Sequence, residues 1–455
     1  MATINKRSEQ DLRTAEGAKA KLVNPELQLR RSVMACMLWE DSFYEDGISI
    51  VDRIKKLVSQ VDSQKVAEIA IEAREQFKLR HIPLLLVRTL AKNKYPVADV
   101  LARIVQRPDE LAEFLAIYWK DGKEPLSNQV KKGLAKAFTK FDEYQLAKYN
   151  RDGAVKLRDV LFLSHAKPID QVQEALWKKL VDNELQVPDT WEVALSTGKD
   201  NQATWERLIR DKKLGGLALL RNLRNMDQAG VDMAIVKDAL LNMKTDRILP
   251  FRFISAAKYA PKLELELEAA MYKAVSTQEK LPGKTILIVD TSGSMYGGGN
   301  VSRKSELSRI DAAAALAILI REVSENSVIY ATAGDDYKRV HATKELPGRR
   351  GFALRDKICN QSLYEEIGGG GIFLKQCMDY VYEKEKNADR IIVITDEQDC
   401  EVNDTKSPMK ANAFGKQNYL INISVEKNGI GYDKWVHIDG WSEAVVNFIQ
   451  QYERQ

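Results

Sequence analysis

From Ile48 onward, apolar positions recur at helical spacing, and each such stretch ends in a short polar break. The pattern predicts helices over Ile48–Val61, Ser63–Phe77, Ile82–Lys92, Pro96–Gln106, Pro108–Trp119 and Asn128–Phe138. An earlier helix starts at Pro25 and carries Leu27, Val33, Met34, Met37 and Leu38, before a turn at Asp46-Gly47. Pro83 and Pro108 stand in first turns, where a missing N–H costs nothing. No strand-like alternation intervenes, so hairpins of roughly 40 residues predict an α-solenoid of the HEAT type. In Ala154–Ser164, Leu157, Val160, Leu161 and Ser164 form an inward face, and Arg158, Phe162 and His165 share another. Pro188–Asn201 reads as polar loop, Thr204–Ile209 as helix again, and Leu217–Leu223 as a buried helix after the Gly215-Gly216 break.

Beyond Leu281-Pro282-Gly283 the pattern changes to strand–helix alternation. Strands are predicted at Ile286–Asp290, Ser327–Thr332, Ile391–Asp396, Gln417–Val425 and Trp435–Ile438, with helices over Glu306–Val323, Ile372–Lys384 and Ser442–Tyr452. Such alternation requires a mainly parallel sheet covered on both faces. The predicted organisation is therefore two domains, a helical-repeat module over 1–282 and a doubly wound α/β domain over 283–455.

Composition narrows the class without naming a partner. The 455 residues are 44% hydrophobic and 29% charged, as in an ordinary soluble protein. No apolar run approaches a membrane span, and Met1 to Lys21 is polar, so a cytoplasmic protein with no membrane partner is expected. Cys36, Cys359, Cys377 and Cys400 lack the spacing of a disulfide framework or a zinc site. The net charge of +4 is uninformative, but between Lys131 and Lys167 nine basic residues face four acidic ones. That local surplus exceeds the charge of the whole chain, the footprint of a polyanion site or of a solvated helix face.

Candidate chemistry concentrates at two strand ends. The apolar run from Ile286 ends in Asp290, Ser292 and Ser294, a DxSxS triplet at the carboxyl edge of a sheet, where open α/β folds bind ligands. One carboxylate and two hydroxyls suit Mg²⁺; the same residues are also ordinary turn and N-cap residues. A second buried strand ends at Asp396. Together these strand ends resemble the metal-ion-dependent adhesion site of a von Willebrand factor A domain, and Asp396 matches that family's later metal-site Asp. The family's intervening loop brings a Thr, but here the loop reads Gly368-Gly369-Gly370-Gly371, with Gly370 where the Thr belongs. The resemblance thus implies a divalent-cation site lacking one hydroxyl ligand.

Three further stretches sharpen the resemblance. Lys148-Tyr149-Asn150-Arg151-Asp152-Gly153 with Lys156–Leu161 and Leu163–Pro168, Lys78–Leu86 upstream, and Leu214–Leu223 downstream are similar to the TROVE module of the Ro autoantigen family. With the A domain behind them, the likeness covers nearly the whole chain and is of the bacterial Ro type. It implies a ring of HEAT-like repeats closed by the A domain. It further implies Y or Y-like noncoding RNA on the outer surface and misfolded RNA with single-stranded 3′ ends in a central hole. Of the family's outer-surface positions, Lys140 and His165 match directly; Lys148 or Arg151 is the nearest candidate for a third. Lys156, Arg158 and Lys167 extend the same basic face. Bacterial relatives imply an exoribonuclease partner such as polynucleotide phosphorylase.

Other readings of single residues stay open. His165 also suits a helix C-terminus, where last-turn carbonyls and the dipole favour it. His81 has no partners at ligand spacing and reads as packed or capping. Phe251, Arg252, Phe253 and Tyr259 offer stacking groups for bases, or helix packing. The Gly-rich loops carry no GxxxxGK[ST] pattern, and no nucleophile–base arrangement is visible. A noncatalytic RNA-binding scaffold is therefore expected. The alternatives are a metal-dependent protein-recognition module and, less favoured, a metal-dependent hydrolase with Glu397 as base.

Overall fold

In the computed structural model, the residues described are 25–34, 47–196, 201–245, 248, 250–276, 278–297, 307–335, 337–367, 369–396, 413–423, 434–439 and 445–454. Cys36, Cys400, Glu397, Gly298, Gly299, Gly368, the turn residue Asp46 and the polar lead lie outside them. By packing, the chain forms two units that divide between Lys213 and Leu214.

The first unit is helical throughout its described residues: α1 (Pro25–Met34), α2 (Gly47–Val58), α3 (Ser63–Glu75), α4 (His81–Lys92), α5 (Ala98–Ile104), α6 (Pro108–Tyr118), α7 (Asn128–Phe138), α8 (Glu143–Tyr149), α9 (Leu157–Ser164), α10 (Gln171–Asp182), α11 (Trp191–Ser196) and α12 (Asn201–Arg210). Alternate helices stack, α3 on α5 on α7 and α4 on α6 on α8, as the hairpin periodicity predicts. The rows are close enough that a Cβ at Gly133 of α7 would lie 2.9 Å from the carbonyl oxygen of Ala98 in α5. A buried ion pair pins the two rows. Arg74 of α3 donates to Glu110 of α6 at 2.6 Å and, through Nε, to the Ile104 carbonyl at 2.9 Å. The other Glu110 oxygen accepts the backbone N–H of Gln106 and Arg107, capping α6. Burial pushes the Glu110 carboxyl up and draws Arg74 down, against their mutual attraction.

Two departures from expectation are held by ring contacts between helices. The stretch predicted as loop contains α11, because Trp191 stacks on the buried Trp205 of α12 with ring centroids 6.0 Å apart. Phe138 likewise meets Trp177 edge-on at 5.4 Å, holding the unanticipated α10 in place.

The second unit begins with α13 (Gly216–Gln228), α14 (Met233–Asn242), α15 (Pro250–Tyr259) and α16 (Glu264–Ser276) and continues into the sheet. There follow β1 (Leu281–Asp290), α17 (Gly293–Gly297), α18 (Arg309–Val323), β2 (Ser324–Asp335), β3 (Val340–Glu345), α19 (Gly351–Cys359), α20 (Gln361–Ile367), α21 (Leu374–Lys384), β4 (Arg390–Thr395), β5 (Gln417–Asn422), β6 (Val436–Asp439) and α22 (Val445–Glu453). The strand order is β3-β2-β1-β4-β5-β6, parallel except for the β2–β3 pair. Ile286, Ile288, Ile391 and Val393 cluster with Leu374, Met378 and Val381 of α21 on one face. By strand alternation Leu287 and Val289 face the other side, where α18 packs.

The switch from helix to strand comes at Leu281, so β1 takes in the Leu281-Pro282-Gly283 stretch read as a linker, and the packing boundary lies earlier. Helix α18 is buried over 14 of its 15 residues, so it needs cover on its outer side as well as from the sheet. That cover comes from α15 and α16. Lys258 of α15 pairs with Asp311 of α18, and Glu268 and Glu264 of α16 accept from the Phe352 N–H and from Arg355 on α19. Among the described residues, no helix is long and apolar enough to cross a membrane.

Replacing Glu110 by Ala leaves Arg74 buried without its counter-charge and is expected to cost about 3–5 kcal/mol of stability. Denaturant unfolding of the variant measures this; a loss below about 1 kcal/mol would mean that the pair does not pin the helical rows.

Candidate metal centre and nucleic-acid interface

Strand β1 delivers Asp290 to the sheet edge with its side chain fully buried. Its Oδ1 accepts the Ser292 N–H at 2.8 Å and its Oδ2 accepts the Thr395 hydroxyl at 2.6 Å. The Ser292 and Ser294 hydroxyls lie 3.2 Å apart, and Asp396, at the end of β4, is also fully buried. The four residues expected from the sequence are thus brought to one edge by the parallel β1–β4 pairing. Burial first, and the Asp396 carboxylate second, push the Asp290 carboxyl up to about 7.

The glycine loop closes the other side. The Gly293 N–H donates to the Gly370 carbonyl at 3.1 Å, so Gly370 does stand against the DxSxS turn, offering backbone only. Gly369 has φ +112°, and a Cβ there would fall 1.4 Å from the Gly334 carbonyl oxygen, so the loop docks on β2 only because it is glycine. Sequence reasoning missed one member of the site. Arg309, the first residue of α18, is 3% exposed, and its Nη1 donates to Asp396 Oδ2 at 2.8 Å. Nothing local marks it, since its partner lies 87 residues away.

These donors fit a small oxygen-seeking cation. A fully buried carboxylate next to two converging hydroxyls carries charge that water does not stabilise there. Asp290, Ser292, Ser294 and Asp396 would hold it. No group of three or more His, Cys, Asp or Glu suited to a metal occurs among the described residues.

The basic face assembles around α8 and α9. Leu157, Val160, Leu161 and Ser164 are buried as expected, while Phe162 is 60% exposed and His165, Arg151 and Lys167 are exposed. Arg158 is half-buried. Lys148 lies 5.8 Å from the Tyr144 ring and 5.9 Å from that of Tyr149. Two of the expected phosphate contacts are already engaged. Lys156 pairs with Asp152 at 2.7 Å. Lys140 turns its ammonium onto the Ala102 and Val105 carbonyls, capping α5, and burial draws its pKa down. Lys140 thus caps α5 while the residue remains exposed. His81 lies 3.5 Å from Glu113 and is packed, as anticipated.

A second cationic surface lies between α13 and α15. A cleft of about 330 Å³ is lined by Arg221, Arg224, Asn225, Arg252, Ser255 and Tyr259, and every charged residue lining it is basic. Arg221 and Arg224 are exposed and carry no ion pair among the described residues. The aromatic expectation here divides. Phe251 and Phe253 are buried packing residues, whereas Tyr259 is 40% exposed at the cleft.

The TROVE domain family model matches residues 182–345, from the end of α10 to the end of β3, across the helix-to-strand switch. Over 91 residues, 19% of its length, the chain is 36% identical to telomerase protein component 1 of Rattus norvegicus and, equally, of Mus musculus. It spans only 4% of the length of those relatives. The crystal structure of the Deinococcus radiodurans RO (RSR) protein shares the fold, with a TM-score of 0.66 at 18% identity over 94% of this chain and 99% of that one.

His165 sits at φ +53° and ψ +37°, the left-handed position that ends α9, with its N–H donating to Phe162. A glycine there relieves the backbone, so His165→Gly is expected to melt at or above wild type, with a gain of up to about 1 kcal/mol. A lower melting temperature would mean that the imidazole supports the fold.

Proposed function

We propose that the chain is a TROVE-domain protein of the Ro type that binds structured small RNA of the Y type around α9 and single-stranded RNA ends at the α13–α15 cleft. The TROVE match over residues 182–345 supports RNA binding as such. The finer reading adds misfolded RNA with a free 3′ end as a ligand and a central opening of a helical ring as the route for that end. It also adds an exoribonuclease such as polynucleotide phosphorylase as the downstream partner, in the cytoplasm. The observation that carries it is the grouping at α9 of exposed Arg151, His165 and Lys167 and half-buried Arg158 with the exposed Phe162 ring. Guanidinium and ammonium groups without acidic partners are ready to replace phosphate counterions, and an exposed ring offers a base a stacking face. The protein then acts by holding RNA, with no catalytic residue assigned.

The test is a salt series with a fixed hairpin, with and without a 3′ single-stranded tail, read by fluorescence anisotropy. Replacing Arg151, Arg158 and Lys167 together by Gln is expected to lower the slope of log affinity against log salt by about 2 for both RNAs. Replacing Arg221 and Arg224 by Gln is expected to leave the blunt hairpin unaffected and to abolish the gain from the tail. Unchanged slopes, or equal wild-type affinity for tailed, blunt and end-blocked hairpins, would overturn the reading.

The strand-edge site supports a second ligand. The fully buried Asp290 carboxylate beside the Ser292 and Ser294 hydroxyls favours Mg²⁺, with Asp396 completing the charge. When bound, the ion supplies a Lewis-acidic position that an acidic side chain of a protein partner completes. Asp290→Asn is expected to abolish Mg²⁺ uptake in calorimetry without weakening RNA binding; uptake equal to wild type would remove the assignment.

A further inference from the structure

Arg309 is an unusual residue for its place. It opens α18, directly after the Ser308 cap, where the helix dipole presents its positive end and disfavours a cation. It is nonetheless 3% exposed, so its charge has little water to stabilise it. Asp396 lies 2.8 Å from its Nη1 and is itself fully buried. A guanidinium brought against both the dipole and burial to reach one carboxylate of a two-carboxylate edge is that edge's own counter-charge.

We infer that Arg309 is a resident counter-cation of the strand-edge site and competes with a divalent ion for it, so that metal uptake requires the guanidinium to withdraw. The inference rests on the metal reading given above. Its physical basis is exclusion. A guanidinium has only donors and no lone pair, so it cannot join a coordination shell, and two cations within reach of one buried carboxylate repel strongly where the dielectric is low. Arg309 also removes one of the two negative charges that would attract the ion. Gly370, with no hydroxyl to offer, adds nothing on the metal's side of the balance. In the absence of metal the edge remains neutralised and closed by the chain itself. In its presence Arg309 becomes exposed.

The experiment uses the full chain and titrates MgCl₂ and MnCl₂ into wild type, Arg309→Gln and Asp290→Asn by calorimetry. Arg309→Gln is expected to bind the ion roughly 10-fold more tightly than wild type. It should also melt lower than wild type in EDTA and recover when Mg²⁺ is added. Binding by Arg309→Gln equal to or weaker than wild type overturns the competition and leaves the metal reading standing. No uptake by wild type or Arg309→Gln overturns both. Wild type alone gives an independent readout that does not depend on the variant folding. Arginine-selective modification by phenylglyoxal, followed by peptide mass spectrometry, should rise at Arg309 when Mg²⁺ saturates the site. Unchanged modification at saturation overturns the inference.

Discussion

The constraint that orders the second unit is the burial of a parallel sheet on both faces, carried one layer further by α18. Parallel strands flanked by crossovers have no face for water, so β1 is apolar on both sides and needs helices on both. On one side α21 packs against β1 and β4. On the other, the cover is a helix of alanine, leucine and isoleucine that is apolar all round and cannot itself face solvent. It recruits α15 and α16, and the polar links from Lys258, Glu264 and Glu268 fix them there. The helices just before β1 therefore fold with the sheet rather than with the repeats, and the TROVE match runs across the helix-to-strand switch without interruption.

The same burial gives the strand-edge site its character. Carboxylates at the ends of β1 and β4 emerge where the sheet is still covered, so Asp290 and Asp396 are dry. Burial raises the cost of ionisation, and the chain answers with the donors within reach: the Ser292 N–H, the Thr395 hydroxyl and, for Asp396, the Arg309 guanidinium. Each donor is positioned by an element whose placement the sheet already dictates. The polar edge is a consequence of the core, with no separate scaffold of its own.

Features set by local periodicity were legible in the sequence. Helix α7 spans the predicted Asn128–Phe138, β1 ends at Asp290, and the inward face of α9 is the one its spacing gives. Features set by distant partners were not. Helix α11 depends on Trp205, the pairing of Arg309 on a residue 87 positions away, and the capping role of Lys140 on carbonyls 35 and 38 residues upstream. The edge strand β3 escaped because it is antiparallel and partly exposed along its length, so its residues read as loop. Phe251 and Phe253, for which the sequence left base stacking and helix packing both open, are buried packing residues of α15.

Charge shows most clearly how far a sequence count carries. The nine basic residues between Lys131 and Lys167 include Lys136, paired with Asp99, Lys156, paired with Asp152, and Lys140, spent on carbonyl oxygens. A cation already held by an acid in the protein must break that contact before it can displace a counterion from phosphate, so its net contribution to RNA affinity is small. The cations left without an ion pair among the described residues are Lys131, Lys132, Lys148, Arg151, Arg158 and Lys167, the last three with His165 and Phe162 beside them. By the same criterion Arg221 and Arg224, which no charge run in the sequence singles out, present two guanidinium groups with no ion pair and no acidic lining residue among the described residues. Which cations are free to meet a polyanion thus depends on the helix packing that commits Lys136, Lys140 and Lys156 elsewhere.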